Sequence, residues 1–374
     1  MQYRTFQKTG EPISLLGLGL MRLPEKDDKV DEAEAIRMIR AAIDAGVNYL
    51  DTAYVYHGGD SEIILGKALK DGYREKVLIA DKMPVWVAKD AEDQERMFEE
   101  QFTRLGVDVI DMYLVHAIEK AMQKRIQRYD TIKFLEKKKA EGRIKHIGFS
   151  FHDSLDLFKE TIDSYPWDFC MIQLNYMDAN FQAGVEGLKY AGAKGIPVVV
   201  MEPLKGGRLT DYMPESIQKL WGLADIKRSP ADWALRWVAD FPEVLTVVSG
   251  TSSVAQLEEN VKILSDVVPN SLTDKEKDII QQVADTYREL IQYDCTDCRY
   301  CLPCPQKINI PLILMFYNEW FMYEQNPKVK GQFNFFIPKD AVPSVCTACG
   351  TCEERCPQKL PVMEALKKAG SLFE

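Results

Sequence analysis

From about residue 15 to residue 265, short β-branched runs alternate with amphipathic stretches of about ten to fifteen residues, the pattern of strands joined by covering helices. Eight runs predict strands: Leu15–Leu20, Val47–Asp51, Val77–Asp81, Val109–Val115, His146–Phe149, Phe169–Leu174, Pro197–Met201 and Val244–Ser249. Helix-period stretches fall between them at 31–45, 91–105, 129–141 and 229–240. Ser229 supplies an N-cap with Pro230 at the first helical position, and Asp153 and Ser154 open another helix after the fifth strand. Eight βα units in about 250 residues predict a TIM (β/α)8 barrel. An open doubly wound sheet would need Gly-x-Gly-x-x-Gly after its first strand. Gly17 and Gly19 are present, but Arg22 holds the third position and Pro24 opposes an ordinary helix there. The first fourteen residues, with Tyr3–Phe6 and then Gly10, Glu11 and Pro12, predict a short hairpin that plugs the barrel floor.

After Pro269 the pattern changes. Thr273 to Ile291 predicts an amphipathic helix, followed by a cysteine run, an apolar helical stretch from Leu312 to Tyr323, a loop through Pro327 and Pro338, and a second cysteine run. The domains expected are the barrel, 1–270, and a small α-helical module, 271–374. Eight of the nine cysteines lie in the two runs: Cys295, Cys298, Cys301 and Cys304 before Pro305, and Cys346, Cys349, Cys352 and Cys356 before Pro357. They form an internal repeat, because Cys-Pro-Gln-Lys-Ile at 304–308 returns as Cys-Pro-Gln-Lys-Leu at 356–360. Four thiolates per run predict two [4Fe–4S] clusters. Structural zinc favours separated pairs, and disulfides suit secreted chains, whereas Met1 to Thr9 has no apolar core. The second run resembles that of bacterial ferredoxins; the first is one residue shorter before its last cysteine. The resemblance implies crossed ligation: Cys295, Cys298, Cys301 and Cys356 on one cluster, Cys346, Cys349, Cys352 and Cys304 on the other. Cys170, alone in an apolar stretch, reads as a small buried hydrophobe.

Composition narrows the class. With 46% apolar and 28% charged residues, a mean hydropathy of −0.24 and no run long enough to span a bilayer, the chain reads as cytoplasmic, with no membrane partner. A net charge of −10 argues against nucleic acid and suits docking to a basic electron-transfer partner. The basic stretch at 120–145 reads as a solvated helix face.

In a barrel the reactive groups gather at the C-terminal ends of strands. Asp51 ends the second strand and is followed by Tyr56; Lys82 ends the third and His116 the fourth. A carbonyl receiving hydride builds alkoxide charge and needs a proton donor. Tyr56 serves if its phenol, about 10 unperturbed, is lowered by Lys82. Asp51 would hold Lys82 charged, and His116 would orient the carbonyl. Each alone has a structural reading: a turn cap, a rim aromatic, a surface strand end, a core imidazole. His146 points to the wrong end of the barrel and reads as structural, while His57 either touches substrate or fills the mouth.

Asp51, Tyr56, Lys82 and His116, in this order on successive strand ends, resemble the tetrad of the aldo-keto reductase superfamily, and residues 3–265 resemble that family throughout. The resemblance implies NADPH or NADH as cofactor. It places Ser150 and Gln173 at the nicotinamide carboxamide, with Phe151 where the family has Asn and His152 as a substitute. Met201 takes the place of a stacking aromatic. Pro203, Leu204, Gly206 and Gly207 form a pyrophosphate loop, with Lys205 or Arg208 to balance charge. Thr251, Ser252, Gln256, Glu259 and Asn260 fall on the adenosine-phosphate segment. Gln256 stands where an Arg would bind a 2′-phosphate, so the segment is compatible with NADH or NADPH; its plain reading is a helix N-cap.

A barrel of this kind joined to a dicluster module resembles the ferredoxin-type branch of aldo/keto reductases. The branch implies reduction of a small aldehyde or ketone to an alcohol, with the clusters structural or redox-sensing. The alternative is a cluster-wired oxidoreductase exchanging electrons with a ferredoxin-like partner. A flavin would convert hydride into single electrons, although no flavin motif is present. A third reading, an electron carrier on an inert barrel, conflicts with the intact tetrad. Loops Met21–Lys29, Ala117–Arg128 and Arg208–Arg228 would build the substrate pocket, with Trp86 and Trp221 as candidate lining.

Overall fold

The computed structural model describes all residues except 28, 211–212, 296–299 and 357, so Cys298 lies outside the described residues. Contacts divide the chain into two compact units: Met1–Lys205 with Ala231–Leu272, and Gly206–Pro230 with Thr273–Glu374.

The first unit is the expected barrel. Its eight parallel strands, in chain order around a closed sheet, are Leu16–Gly19, Tyr49–Asp51, Leu78–Met83, Ile110–Ile118, Ile144–Phe151, Phe169–Gln173, Val198–Met201 and Val244–Ser249. Leu18 pairs with Leu50, Leu50 with Ile79, and Ala80 with Met112. Closure leaves no sheet edge for another chain to pair with. The helices begin where side chains replace missing backbone partners. Asp31 caps Glu32–Asp44, Asp90 caps Ala91–Leu105, Ser154 caps Leu155–Ser164 and Ser253 caps Val254–Leu264.

Two cores follow from strand alternation. The outer one, between sheet and helices, holds Leu50, Ile79, Tyr113, Phe149, Phe151, Ile172 and Val200. The inner one fills the barrel with Tyr49, Met112, Leu114, Phe169, Met171, Val199 and Leu245. The antiparallel hairpin Tyr3–Phe6 and Glu11–Ser14 adds Phe6 and Ile13 to this interior, as the floor plug expected of it. His146 meets Phe6 edge-on at 4.8 Å, at the plug end, which agrees with its structural reading.

The basic stretch folds as two helices, Lys120–Arg128 and Thr131–Ala140. Lys138 departs from the solvated face expected of the stretch. It is buried beneath Glu95, Glu99 and Glu141, whose carboxylates make that burial tolerable.

The second unit is helical. Asp274–Glu289 opens with a reciprocal capping box between Thr273 and Glu276. Ile310–Met322 is almost wholly apolar and packs against Val362–Phe373 and Pro327–Phe336. The last helix replaces the loop expected through Pro327 and Pro338. Asn326 caps it and Pro327 occupies the first turn, where a missing N–H costs nothing. Phe333 stacks on Phe373 at 4.5 Å. The segment 206–230 folds with this unit: Glu215–Gly222 packs on Asp274–Glu289, and buried Arg208 pairs with Glu319 at 2.5 Å. Trp221 is buried here as packing. No described helix is long and apolar enough to cross a membrane.

Candidate active site and cysteine pocket

The barrel places Asp51, Tyr56, Lys82 and His116 at one end of the sheet. Lys82, essentially unexposed, donates to Asp51 Oδ1 at 2.6 Å, to the Thr52 carbonyl at 2.6 Å and to the Tyr56 hydroxyl at 3.5 Å. Three acceptors match the three hydrogens of an ammonium. Burial alone would lower Lys82, but Asp51 and Tyr56 outweigh it and hold the amine above its ordinary range. Burial raises the Asp51 carboxyl, against the pull of Lys82.

Tyr56 differs from the expected direction. Burial raises its phenol, Lys82 lowers it, and Asp51 and Asp81 add to the rise, so the net direction is upward. The reason is chiefly burial, which outweighs the pull of Lys82, with the Asp51 carboxylate offsetting part of that pull. Tyr56 sits in a tight turn with His57 at φ 49° and Gly59 at φ 106°. The positive φ favours glycine at 59, and a Cβ there would also lie 2.7 Å from the Arg104 guanidinium and displace it. Arg104 braces the same turn through the Tyr54 carbonyl at 3.1 Å.

His116 is held well below its ordinary range by burial, then by Lys82 and His152, and is neutral. Its ring lies 6.0 Å from Tyr56 and 4.8 Å from Trp86, which brings Trp86 to the mouth. His57 Nε2 accepts the Leu23 amide at 3.4 Å, tying the loop after the first strand to the Tyr56 turn.

The residues the resemblance assigned to a cofactor divide into groups. Ser150, buried, accepts the Ala117 amide at 2.7 Å and keeps its own hydroxyl proton to donate. Gln173 donates weakly to Asp178 at 3.4 Å. Met201 is partly buried at the edge of the inner core; Pro203 is buried and Leu204 packs on the outer core. Phe151 lies in the outer layer, 5.2 Å from Phe158, and turns away from the barrel lumen. His152 donates its amide to Ile118. Gly206 and Gly207, at φ 67° and 87°, belong to the second unit.

On the last segment, Thr251 is buried with its hydroxyl toward the Met38 sulfur, and Asn260 donates to Ser249 at 3.1 Å. Gln256 accepts from the amide and hydroxyl of Ser252, while Glu259 is exposed on the helix. Two cations considered for phosphate charge are already paired: Lys205 with Asp178 at 2.8 Å and Arg208 with Glu319.

Sequence reasoning missed several participants. Arg22 was noticed only for breaking a glycine pattern, yet its side chain runs along Gly250, where a Cβ would lie 3.6 Å from it, and it makes no ion pair among the described residues. Asp178 gathers Gln173, Asn175 and Lys205 after the sixth strand. Gln101 donates to the Lys82 carbonyl and accepts from Tyr113. Its signal was a polar residue seven positions from Gln94 on an otherwise apolar helix face.

In the second unit, the sequence repeat is also a structural one. Lys307 and Lys359 both take left-handed conformations, φ 60° and 53°, and both donate amides back to the cysteine three residues earlier. A helix follows each turn, Ile310–Met322 and Val362–Phe373. Asn318 grips Tyr293 through both its amide and its carbonyl, fixing the approach to the first cysteine run. A pocket partly open to solvent is lined by Cys301 and Cys304 of the first run and Cys346, Cys349 and Cys352 of the second, with Ile310, Met363 and Leu366 as apolar walls. Among the described residues no three Cys, His, Asp or Glu side chains converge on one point to hold a single ion. The four corners of a cubane are separated, so its thiolates surround a cavity instead of meeting at a point. The donor set therefore fits a cluster. Cys295 and Cys356 lie outside this lining. Cys170 is wholly buried and burial pushes its thiol up, so it is inert.

Comparison with known proteins agrees with both units. Residues 294–360 match a 4Fe-4S dicluster domain. The L-galactose dehydrogenase of Arabidopsis thaliana is 29% identical over 287 residues, covering 71% of this chain and 89% of the relative. The NADH-specific methylglyoxal reductase of Escherichia coli K12 is 27% identical over 318 residues, covering 73% and 95%. Among solved structures, an aldo-keto reductase from Bacillus halodurans in its holo form superposes with a TM-score of 0.64 at 27% identity, covering 76% of this chain and 96% of that one. An aldo/keto reductase from Klebsiella pneumoniae, in complex with NADP and acetate, gives 0.59 at 25%, covering 74% and 93%. Residues 15–285 match the aldo/keto reductase family, and with the barrel and its strand-end residues in place, the chain belongs to that family.

Proposed function

We propose that this protein reduces a small aldehyde or ketone to the alcohol with NADH or NADPH, and that its C-terminal module carries two [4Fe–4S] clusters. The observation that carries the reading is Lys82, whose three donors reach Asp51, the Thr52 carbonyl and Tyr56 in one enclosed site. A reduced nicotinamide, when bound, would supply the hydride, so that carbonyl, NAD(P)H and a proton would give alcohol and NAD(P)+.

The chain's own groups do the rest. Tyr56 is protonated at neutral pH because its phenol is raised, and it gives that proton to the oxygen as alkoxide charge develops. Lys82 then stabilises the phenolate until solvent returns a proton. Neutral His116 donates a ring N–H to the carbonyl without adding charge. Trp86 supplies an aromatic wall for the substrate. Ser150 offers its hydroxyl to the carboxamide, and the amides at the start of Val254–Leu264 suit a phosphate. Arg22, along Gly250 and without an ion pair among the described residues, supplies the charge that Lys205 and Arg208 spend elsewhere. Cys304, Cys346, Cys349 and Cys352 surround one cluster site; the other set is Cys295, Cys298, Cys301 and Cys356. Clusters there would store single electrons.

The exposure of Cys349 favours a second reading, in which a cluster at the surface passes electrons to a ferredoxin-like partner. Tyr56→Phe tests the first. It lowers kcat for model aldehydes by about a hundredfold or more while leaving nicotinamide binding intact; an unchanged kcat would refute the assignment. Anaerobic titration with NADPH or NADH separates the readings. A cluster band bleached by nicotinamide and restored by aldehyde supports electron exchange; a band that stays constant during turnover supports a plain carbonyl reductase.

A further inference from the structure

Behind Lys82 lies a pair of carboxyls that the proposed chemistry does not use. Glu62, on the helix Asp60–Ala68 that follows the Tyr56 turn, and Asp81, the strand residue before Lys82, are both wholly buried. One oxygen of each is occupied: Glu62 Oε2 accepts from Arg104 at 2.7 Å, and Asp81 Oδ1 accepts the Lys82 amide at 2.7 Å. The remaining two, Glu62 Oε1 and Asp81 Oδ2, have no donor from any described residue, and the two side chains lie within hydrogen-bonding reach of each other. Two buried carboxylate oxygens cannot rest against each other without a proton between them.

The surrounding charges do not supply one. Arg104 is divided among Glu62, Glu100 and the Tyr54 carbonyl. Lys82 points its ammonium to Asp51, Thr52 and Tyr56. Tyr113, the remaining titratable neighbour of both carboxyls, gives its hydroxyl hydrogen to Gln101.

We propose that Glu62 and Asp81 share one proton and act together as a positioning pair for Lys82 and Tyr56. The shared proton joins the helix that carries the Tyr56 turn to the strand that carries Lys82. With Gln101 on the Lys82 carbonyl and Arg104 on the Tyr54 carbonyl, both partners of the 3.5 Å contact are fixed from behind. The catalytic consequence rests on the proposed carbonyl reduction; the shared proton does not.

Asparagine or glutamine can donate across the pair with no proton to lose, whereas Asp81→Ala leaves Glu62 Oε1 and the Lys82 amide without partners, with Arg104 still on Glu62 Oε2. Infrared difference spectra of the cluster-loaded protein at pH 8 are expected to show a protonated-carboxyl band that is lost in both Asp81→Asn and Glu62→Gln. Its absence from the wild type would overturn the shared proton. Asp81→Ala is expected to lower kcat by about tenfold or more with KM for nicotinamide within about twofold, and Asp81→Asn to recover most of the loss. An alanine variant with wild-type kcat would overturn the positioning role. If the wild type reduces no carbonyl, the proposed activity fails separately, and positioning is read from the Tyr56 phenol titration, taken as the difference from Tyr56→Phe. That titration shifts in Asp81→Ala and returns in Asp81→Asn if the pair positions Tyr56; an unmoved titration overturns the proposal.

Discussion

Lys82 distributes its hydrogens so fully that the rest of the site is arranged around it. Burial raises the phenol of Tyr56 despite a cation 3.5 Å away, and Asp51 adds to the rise by offsetting the ammonium. The phenol therefore carries its proton at neutral pH and, though a weaker acid than a free tyrosine, can still give that proton to a developing alkoxide, which is more basic. Arg22 belongs to the same scale. Lys205 and Arg208 are held by Asp178 and Glu319, and Gln256 turns back on Ser252. Arg22→Ala is therefore expected to raise the KM for nicotinamide by on the order of tenfold, the worth of one charge-assisted hydrogen bond, with the aldehyde KM unchanged. Steady-state kinetics varying each substrate in turn checks this, and a change confined to the aldehyde would refute it.

At the scale of elements, single polar residues join strands to the helices that cover them. Asp168, before the sixth strand, accepts the Ile147 amide at 2.9 Å and Lys139 of the Thr131–Ala140 helix at 2.6 Å, with His146 at 3.8 Å. Burial would raise this carboxyl, but His146, Lys139 and the Ile147 amide outweigh it and hold it well below its ordinary value. A depressed folded value means stability that is present above the unfolded pKa, about 4, and lost as pH falls through the folded one. Asp168→Ala is expected to cost roughly 1–3 kcal/mol at pH 7. Its difference from wild type shrinks below about pH 4. Denaturant midpoints across that range measure the effect, and a pH-independent difference would show that Asp168 acts by packing alone. In the helical unit Asn318 plays a comparable part, holding both polar groups of Tyr293 just ahead of the first cysteine run.

For the whole molecule, the consequence is a chain whose two chemistries have separate frameworks. The barrel is closed and its interior filled, and the contacts that hold its strand-end groups lie within the first unit. The cysteine pocket is walled by Ile310, Met363 and Leu366 of the repeated helices and draws thiols from both runs. Cys304→Ser is accordingly expected to reduce bound iron from about eight to about four atoms per chain. Cys170→Ser, wholly buried in the barrel, leaves it unchanged. Iron and sulfide assays with circular dichroism of the barrel check both. Loss of barrel signal in Cys304→Ser would contradict the separation.

The eight strands, the helices between them and the floor hairpin were legible because each is written in local periodicity, period two against period 3.6, and punctuated by caps such as Ser154 and Ser253. The cysteine repeat was legible because its spacing is written in the sequence itself, and residues 294–360 match a 4Fe-4S dicluster domain. The four strand-end residues were legible as types at barrel positions. The helix at Pro327–Phe336 was read as a loop because a proline at its start looks like a breaker until the Asn326 cap is seen. Lys138 was read as solvated because two of its three carboxylate partners, Glu95 and Glu99, lie about forty residues earlier in the chain. The upward direction of Tyr56, the pairing of Arg208 and the burial of Glu62 and Asp81 with an unpartnered oxygen each were decided only by tertiary structure. Periodicity and residue type are local properties, so the sequence determined the elements and their chemistry by itself. Burial and charge pairing depend on which distant groups meet, and only the closed fold decides that.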